Sequence, residues 1–188
     1  MTTDLNKIQG VKQMILGIYT DGSCRSNPGP AGYAFLLVEE SAIEEDKLRY
    51  KFCGACVDEY HCIIKATNQH AELQACEKGL SYIIDKEYHV NNTLIRLYSD
   101  SAYLLNCLKN QWYSKWRRNG WKTSTGDPVK NQWLWEKIVK HVEFLRLNNN
   151  KIEFIKVKGH NGNTYNELAD ALANKGTELS IEYFSSLK

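Results

Sequence analysis

The chain has 188 residues, of which 43% are hydrophobic and 24% charged, and its formal net charge is +2. This length and composition suit one domain with a substantial hydrophobic core. No stretch approaches the ~20 apolar residues of a membrane span, and the first ten residues lack the charged-then-apolar pattern of a signal peptide. We therefore expect a cytoplasmic protein with no membrane partner, and we expect a monomer. The six cysteines are expected to be reduced thiols rather than a disulfide framework.

The net charge hides two segments of opposite sign. Residues 39–46, EESAIEED, contain five acids. Residues 109–122 contain five basic side chains and no acid, and Trp112, Trp116 and Trp121 are interleaved with them. A basic segment of this kind indicates a polyanionic partner.

The first part of the chain is predicted to form strands. Residues 1–12 are polar and unpatterned, and we expect a flexible N-terminus there. Residues 13–21 form an apolar strand that ends in Asp21, and the glycines and prolines of GSCRSNPGPAG indicate a loop after it. Two further β-prone segments, GYAFLLVEE and LRYKFCGACV, make an antiparallel meander the expected arrangement.

The second part mixes helices and strands. Helical spacing begins after Thr67 or Asn68, either of which can cap the helix. Strands are predicted at 93–99 and 151–157, with a short helix and a longer one, from about 131 to 146, between them. The last helix is predicted to open with a capping box, Thr164 to Glu167, and to stop near Gly176. We assign residues 13–177 to one folded domain and 178–188 to a C-terminal tail.

Four acids occupy comparable positions in these elements. Asp21 and Asp100 each end a predicted strand, Glu72 lies in the first turns of a helix, and Asp170 lies on the last helix. If the two strands are neighbours, their terminal acids lie side by side, and helices packed on the sheet can bring the other two acids to the same point. Carboxylates this close repel one another without a counter-ion. Oxygen ligands suit Mg²⁺ or Mn²⁺ and do not suit Zn²⁺, so we predict a divalent metal site.

The predicted metal site suits phosphodiester chemistry. A pair of such ions about 3.5 to 4 Å apart can activate a water and stabilise the leaving oxygen of a phosphodiester. His160, in the glycine-flanked loop KGHNG just before the helix of Asp170, adds a general acid or proton shuttle.

Five segments resemble, in order, the landmarks of the ribonuclease H type 1 family, which cuts the RNA strand of RNA/DNA hybrids. They are YTDGSCRSNPGPAGYA, TNQHAELQA, YSDSAYLL, QWYSKWRRNGWKTSTGDPVKNQWLWE and VKGHNGNTYNELADALA. The resemblance covers about residues 14–176. It implies an α/β, ribonuclease H-like fold, with a five-stranded mixed sheet, antiparallel in its first three strands and then parallel, and helices on both faces. It also implies that residues 13–177 are the catalytic domain, that Asp21, Glu72, Asp100 and Asp170 bind two Mg²⁺ ions, with Mn²⁺ as a substitute, and that His160 is the catalytic histidine of a flexible loop.

The resemblance further implies how an RNA/DNA hybrid is bound. The segment 111–122 is similar to the family's basic protrusion, which grips the DNA strand, and its expected contacts are Trp112, Lys115, Trp116, Arg117, Arg118, Trp121 and Lys122. Indoles can pack on sugars or bases while basic side chains meet phosphates. The positions that line the minor groove and touch the 2′-hydroxyls, which distinguish RNA from DNA, are Gly22, Cys24, Asn27, Asn68 and Gln69. Thr67 resembles a residue of the family's DNA-phosphate pocket.

Several of these residues also have a simpler interpretation. Alone, Asp21 and Asp100 would be ordinary strand-end acids, but the ordered set of motifs favours the metal site. The capping box explains Glu167 fully, and helix packing is the favoured role of Trp133 and Trp135. Asn166, one turn before Asp170, either orients a phosphate or makes a local hydrogen bond.

The chain departs from the family pattern between Tyr33 and Thr67, where it looks longer than the bacterial enzymes. The extra length contains Cys53, Cys56, His61 and Cys62, which could form a tetrahedral zinc site, although packing beside a predicted strand is the favoured explanation. Gln69 stands where the family usually has an asparagine. The histidines at 61, 70, 89 and 141 belong to no motif and are expected to be solvated or structural.

Three functional hypotheses follow from the residues and the resemblance. The main one is a metal-dependent endoribonuclease that acts on RNA/DNA hybrids and leaves 5′-phosphate and 3′-hydroxyl ends. A related nuclease of the same fold, such as a resolvase or a transposase-like enzyme, would cut DNA junctions instead. A non-catalytic hybrid-binding protein is disfavoured because binding alone does not require four carboxylates. We expect no separate hybrid-binding module ahead of the catalytic domain and therefore no processivity from such a module.

Overall fold

A computed structural model describes residues 13–40, 45–90, 92–158 and 163–187. The strands are β1 (Ile15–Cys24), β2 (Gly29–Glu40), β3 (Lys47–Ala55), β4 (Lys65–Ala66), β5 (Leu94–Ser99) and β6 (Lys151–Lys156). The helices are α1 (Asn68–Asp85), α2 (Ala102–Lys109), α3 (Trp112–Arg118), α4 (Gln132–Leu147) and α5 (Thr164–Ser186). The predicted flexible N-terminus, residues 1–12, lies outside the described residues.

The sheet is mixed, and its main path runs β3-β2-β1-β5-β6, with the short β4 paired to β2. β1 is antiparallel to β2, β2 is antiparallel to β3, and β5 is parallel to both β1 and β6. The predicted five-stranded mixed sheet, antiparallel first and then parallel, is therefore confirmed, and β4 is an addition to it.

Helices cover both faces of this sheet because β1 and β2 carry apolar side chains on both faces. Leu16 and Ile18 of β1 pack in a core with residues of α1, α2 and α4. Tyr19 of β1, from the alternate position, packs with Ala169 of α5 in a core on the opposite face. The alternation expected along a strand therefore directs successive β1 residues to α1 and to α5 in turn.

The last helix does not stop near Gly176, and that prediction is wrong. α5 continues to Ser186, through most of the segment predicted as a tail. Gly176 is a packing residue: a Cβ added to it would lie 2.5 Å from the carbonyl oxygen of Gly54 and 3.2 Å from the Cα of Gly32. The glycine lets the helix approach the backbone of two strands, so it does not mark a C-terminal cap.

Three other local features differ from the prediction. The N-cap of α5 is Asn163, whose side chain accepts a hydrogen bond from the Asn166 amide, so the cap lies one residue before the predicted Thr164. β1 continues through Gly22, Ser23 and Cys24, which the glycine and proline content had suggested to be loop. The tryptophan-rich segment contains a helix, α3, that no clear apolar period had indicated.

No helix in the described parts of the chain combines the length and apolarity that a transmembrane helix requires.

Candidate active site

Three of the four predicted acids meet at one end of the sheet. Tyr19 of β1 is in register with Tyr98 of β5, so Asp21, still within β1, and Asp100, just after β5, lie side by side, each two residues further on. Glu72 joins them from the first turn and a half of α1. One carboxylate oxygen from each of Asp21, Glu72 and Asp100 lies within 4.8 Å of the others. Among the described residues, no other three acidic, histidine or cysteine side chains come this close together.

Gly22 explains how Glu72 comes so near to Asp21. A Cβ on Gly22 would lie 2.4 Å from the amide nitrogen of Glu72 and 2.6 Å from the carbonyl carbon of Ala71. A side chain at this position would therefore push the start of α1 away from β1. Asp21 thus supplies one carboxylate, and the missing side chain of Gly22 leaves the space in which Glu72 approaches it.

The site is electrostatically strained by its own carboxylates. Asp21 is 7% exposed and Glu72 is 5% exposed. Burial, followed by the charges of Asp100 and Asp170, raises the pKa of Asp21 to about 7. Burial, followed by the charges of Asp21 and Asp100, raises the pKa of Glu72 well above its ordinary value. The Gly22 amide, 2.9 Å from Asp21 Oδ1, donates a hydrogen bond that opposes these effects on the pKa of Asp21.

Asp170 lies beside this cluster on α5. Its charge contributes to the raised pKa of Asp21, and the Asn174 side-chain amide donates a hydrogen bond of 3.4 Å to its Oδ1. Asn166, one turn earlier, is buried. The predicted catalytic histidine, His160, lies outside the described residues.

The donor set fits a hard divalent cation. All the donors are carboxylate oxygens, which Mg²⁺ and Mn²⁺ prefer. Glu72 Oε2 is buried and has no hydrogen-bond partner among the described residues. A buried, unpartnered carboxylate oxygen is costly unless a cation or proton neutralises it. The environment of Glu72 Oε2 therefore favours a bound metal ion.

The residues predicted to touch the RNA strand lie at the start of α1 and in the β1–β2 hairpin. The Asn68 amide donates a 3.1 Å hydrogen bond to Asn27 Oδ1, which joins the hairpin to the helix. The Cys24 thiol donates to the carbonyl oxygen of Ala66 at 3.1 Å. Thr67 is the N-cap of α1, and its hydroxyl accepts from the amide of His70. The contacts of Cys24 and Asn27 therefore join the hairpin to the start of α1, which carries the other predicted minor-groove positions.

The predicted protrusion, residues 111–122, borders a groove of about 810 Å³. Lys115, Lys122 and Lys130 line it, together with Trp112, Trp116 and Gln69. The groove therefore runs from the protrusion to the start of α1. Tyr103 also lines it; no clear sequence signal singled out this residue, although it lies three positions after Asp100 in the YSDSAYLL motif.

The two predicted tryptophan anchors differ in their packing. Trp112 is 36% exposed. Trp116 packs edge-on against the fully buried Trp135 of α4, with ring centroids 5.6 Å apart, and also contacts Trp121. Trp135 is a core residue, as predicted. Trp133 is half-buried and packs against the same core, as also predicted, with the ammonium group of Lys137 over its ring.

Two predicted phosphate ligands in the protrusion already have protein partners. Arg117 forms a two-point ion pair with Glu143 of α4, with nitrogen–oxygen distances of 2.7 and 3.1 Å. The Arg118 guanidinium donates to the carbonyl oxygen of Ser114. Arg117 thus fastens α3 to α4, a contact that the charge pattern alone did not reveal.

The four residues considered for zinc do not assemble into a metal site. Cys56 is buried in a small apolar cluster, and burial raises the pKa of its thiol, whereas Cys62 is exposed. Among the unassigned histidines, His70 is structural: its ring nitrogens lie 3.0 Å from the Val57 carbonyl oxygen and 3.2 Å from Asn131 Oδ1. It connects the longer segment before Thr67 to the start of α4.

Known proteins share both the sequence and the fold of this chain. A sequence model of the RNase H family matches residues 13–178. The ribonuclease H of Syntrophomonas wolfei is 39% identical over 156 residues, which cover 83% of this chain and 91% of that protein. The ribonuclease H of Caldanaerobacter subterraneus is 36% identical over 174 residues, which cover 89% of this chain and 94% of that protein.

Solved structures agree at the level of the fold. LC9-RNase H1, a type 1 RNase H with the type 2 active-site motif, has a TM-score of 0.69 at 22% identity, covering 90% of this chain and 74% of that chain. LC11-RNase H1, solved in complex with an RNA/DNA hybrid, has a TM-score of 0.61 at 19% identity, covering 88% of this chain and 99% of that chain. With the family model matching nearly the whole described chain, the sequence resemblance is confirmed, and this chain belongs to the ribonuclease H family.

Proposed function

We propose that this enzyme is an endoribonuclease that hydrolyses the RNA strand of RNA/DNA hybrids with divalent metal ions and leaves 5′-phosphate and 3′-hydroxyl ends. The observation that carries the proposal is the cluster of Asp21, Glu72 and Asp100 within 4.8 Å. Its relatives are named ribonuclease H, and one protein of the same fold was solved with a hybrid bound.

The carboxylates of Asp21, Glu72, Asp100 and Asp170 would hold two Mg²⁺ ions, with Mn²⁺ as a substitute. When bound, such a pair supplies an activated water and stabilises the leaving oxygen of a phosphodiester. The protein's own contribution is to hold these oxygens in place before the metal arrives, because buried carboxylates in a packed site need little rearrangement. We assign His160 the transfer of a proton at the leaving group.

Binding of the hybrid divides between two surfaces. The surface of Cys24, Asn27, Asn68 and Gln69 would face the minor groove and the 2′-hydroxyls of the RNA strand. The groove beside the protrusion would take the DNA strand, with Trp112 against a sugar or base and Lys115 and Lys122 near phosphates. Both surfaces flank the acids, so a hybrid bound to both would bring its RNA strand to the metal site.

The test compares the wild type with Asp21→Asn on a labelled RNA/DNA hybrid in Mg²⁺. We expect the wild type to cut the RNA strand and the variant to lose at least about 10³-fold in kcat, since it removes a carboxylate from the centre of the site. Asp85→Asn is the matched control, because Asp85 is an exposed aspartate at the far end of α1. An inactive wild type, a variant as active as wild type, or cleavage of DNA junctions without cleavage of hybrids would reject the proposal.

A further inference from the structure

A hydrogen-bonded chain beside the acids links α5 to β1. The Ser23 hydroxyl donates to Asn174 Oδ1 at 2.6 Å, and the Asn174 amide nitrogen donates to Asp170 Oδ1 at 3.4 Å. The amide orientation is consistent with both neighbours, because a flipped amide would turn its oxygen toward the carboxylate. The chain thus runs from a strand residue, through an amide, to one of the four acids.

The residue spacing of β1 and α5 places the Ser23–Asn174 contact beside the pair of acids Asp21 and Asp170. Ser23 lies two residues after Asp21, so both side chains point to the same face of β1, which is the face that α5 covers. Two strand residues span about 6.6 Å, and the four helical residues from Asp170 to Asn174 span about 6 Å. Asp21 therefore faces Asp170 while Ser23 faces Asn174.

A second contact fixes the position of the helix along the strand. The Thr177 hydroxyl lies 3.1 Å from the carbonyl oxygen of Ser23 and 3.2 Å from that of Ala173. A Cβ on Gly32 would lie 2.1 Å from the Thr177 amide nitrogen, so the helix backbone is packed directly on β2 at this point. Sliding of α5 along the sheet would break these contacts.

The hydrogen bond between Ser23 and Asn174 opposes the repulsion between Asp21 and Asp170. Asp21 and Asp170 are both carboxylates, and their mutual repulsion pushes α5 away from β1 in the absence of a cation. We propose that Ser23 and Asn174 are positioning residues, which hold α5 against β1 and orient the Asp170 carboxylate, whose Oδ1 lies toward Asn174, for a metal ion. This inference rests on the proposed function only in that it assigns Asp170 to the metal site.

The test is a double-mutant cycle on metal affinity. Mn²⁺ is titrated calorimetrically into the whole protein, without nucleic acid, for Ser23→Ala, Asn174→Ala and the double variant. We expect each single variant to bind Mn²⁺ about 10-fold more weakly, the lower end of the effect of residues that orient metal ligands. The double variant should bind Mn²⁺ no more weakly than the single variants, because Ser23 acts on Asp170 through Asn174.

Two further variants separate positioning from a general loss of stability. Ser23→Thr keeps the hydroxyl and should bind Mn²⁺ like the wild type. Ser81→Ala removes a serine hydroxyl that donates to an aspartate, Asp85, away from the site, and it should also bind Mn²⁺ like the wild type. Saturating Mn²⁺ should restore the kcat of Ser23→Ala on a hybrid if the defect is in metal binding.

The outcomes distinguish this inference from the proposed function. The positioning role would be overturned if both single variants bound Mn²⁺ with wild-type affinity. It would also be overturned if the loss of Mn²⁺ affinity in the double variant were about the product of the two single losses. If the affinities follow the expected order but the wild type does not cut a hybrid, the positioning role stands and the proposed substrate is wrong.

Discussion

Asp21 is held in a position that opposes its ionisation when no cation is present. It is buried, and its pKa is raised from 3.8 to about 7 by burial and then by the charges of Asp100 and Asp170. Between these two values the folded protein binds more protons than the unfolded chain. The free energy of unfolding therefore carries no penalty from this group below about pH 4, and it decreases as the pH rises through about 7 and the buried carboxyl ionises.

Asp21→Asn should make the metal-free protein more stable at pH 8. We expect the free energy of unfolding, measured in urea with a chelator present, to rise by an amount on the order of 2 kcal/mol and this gain to disappear toward pH 4. Adding Mg²⁺ should stabilise the wild type but have much less effect on the variant. Asp85→Asn, at an exposed position, should have the same stability as the wild type at pH 8 and should be stabilised by Mg²⁺ to the same extent. A variant that is less stable than the wild type at pH 8 would assign Asp21 a structural role instead.

The sequence predicts the chemically active residues better than the residues that arrange them. Carboxylates at strand ends and early in helices are visible in the sequence because the chemistry demands that residue type. The role of Gly22, whose missing side chain admits the backbone of Glu72, depends on how two distant segments approach each other. The Ser23–Asn174 contact joins residues 151 positions apart, and no local pattern encodes that separation.

At the scale of elements, periodicity predicts β1, α1 and α4 well because each has a clear apolar pattern that packing then uses. α5 shows where periodicity fails. Its apolar residues near the end are partly exposed, including Leu179 and Tyr183, and glycine normally signals a helix end. Here the glycine is required by tertiary packing against β2 and β3, which the local sequence does not encode.

Gly32→Ala should destabilise the fold by about 1 to 3 kcal/mol, because the new Cβ would overlap the backbone of α5 rather than a movable side chain. The nearest atoms to that Cβ are the Thr177 nitrogen and the Gly176 carbonyl carbon, at 2.1 and 2.2 Å. Thermal unfolding of the purified variant measures the effect.

Gly54→Ala is the matched control for this packing effect. Its Cβ would lie 3.2 to 3.3 Å from side-chain atoms of Tyr33 and Phe52, which can shift. We expect a much smaller loss of stability from it. Equal effects of the two substitutions would show that strand propensity, and not the contact with α5, accounts for most of the loss of stability.

At the scale of the whole molecule, the basic protrusion is an extension of the core. Trp116 contacts Trp135, Arg117 pairs with Glu143, and α4, which provides both partners, packs on α1, the helix that carries Glu72. The orientation of the protrusion relative to the acids is therefore set by side chains that the sequence suggested as substrate contacts. This arrangement separates the expected effects of the two tryptophans.

Trp112→Ala should raise KM for an RNA/DNA hybrid several-fold, with kcat and the melting temperature nearly unchanged, because a partly exposed indole contributes mainly to contact with the nucleic acid. Stacking on a base is worth about 1 to 3 kcal/mol. Trp116→Ala should raise KM too, but it should also lower the melting temperature, since it removes a ring packed on the buried Trp135 and leaves a cavity.

Trp116→Phe distinguishes the two contributions of that position. A phenyl ring keeps part of the contact with Trp135, so stability should largely return, while any change in KM that remains reports on the nucleic acid. Steady-state kinetics on one hybrid and thermal unfolding of the same preparations provide both quantities. If Trp112→Ala leaves KM unchanged, the exposed indole does not contact the substrate, and the groove it borders is not the path of the DNA strand.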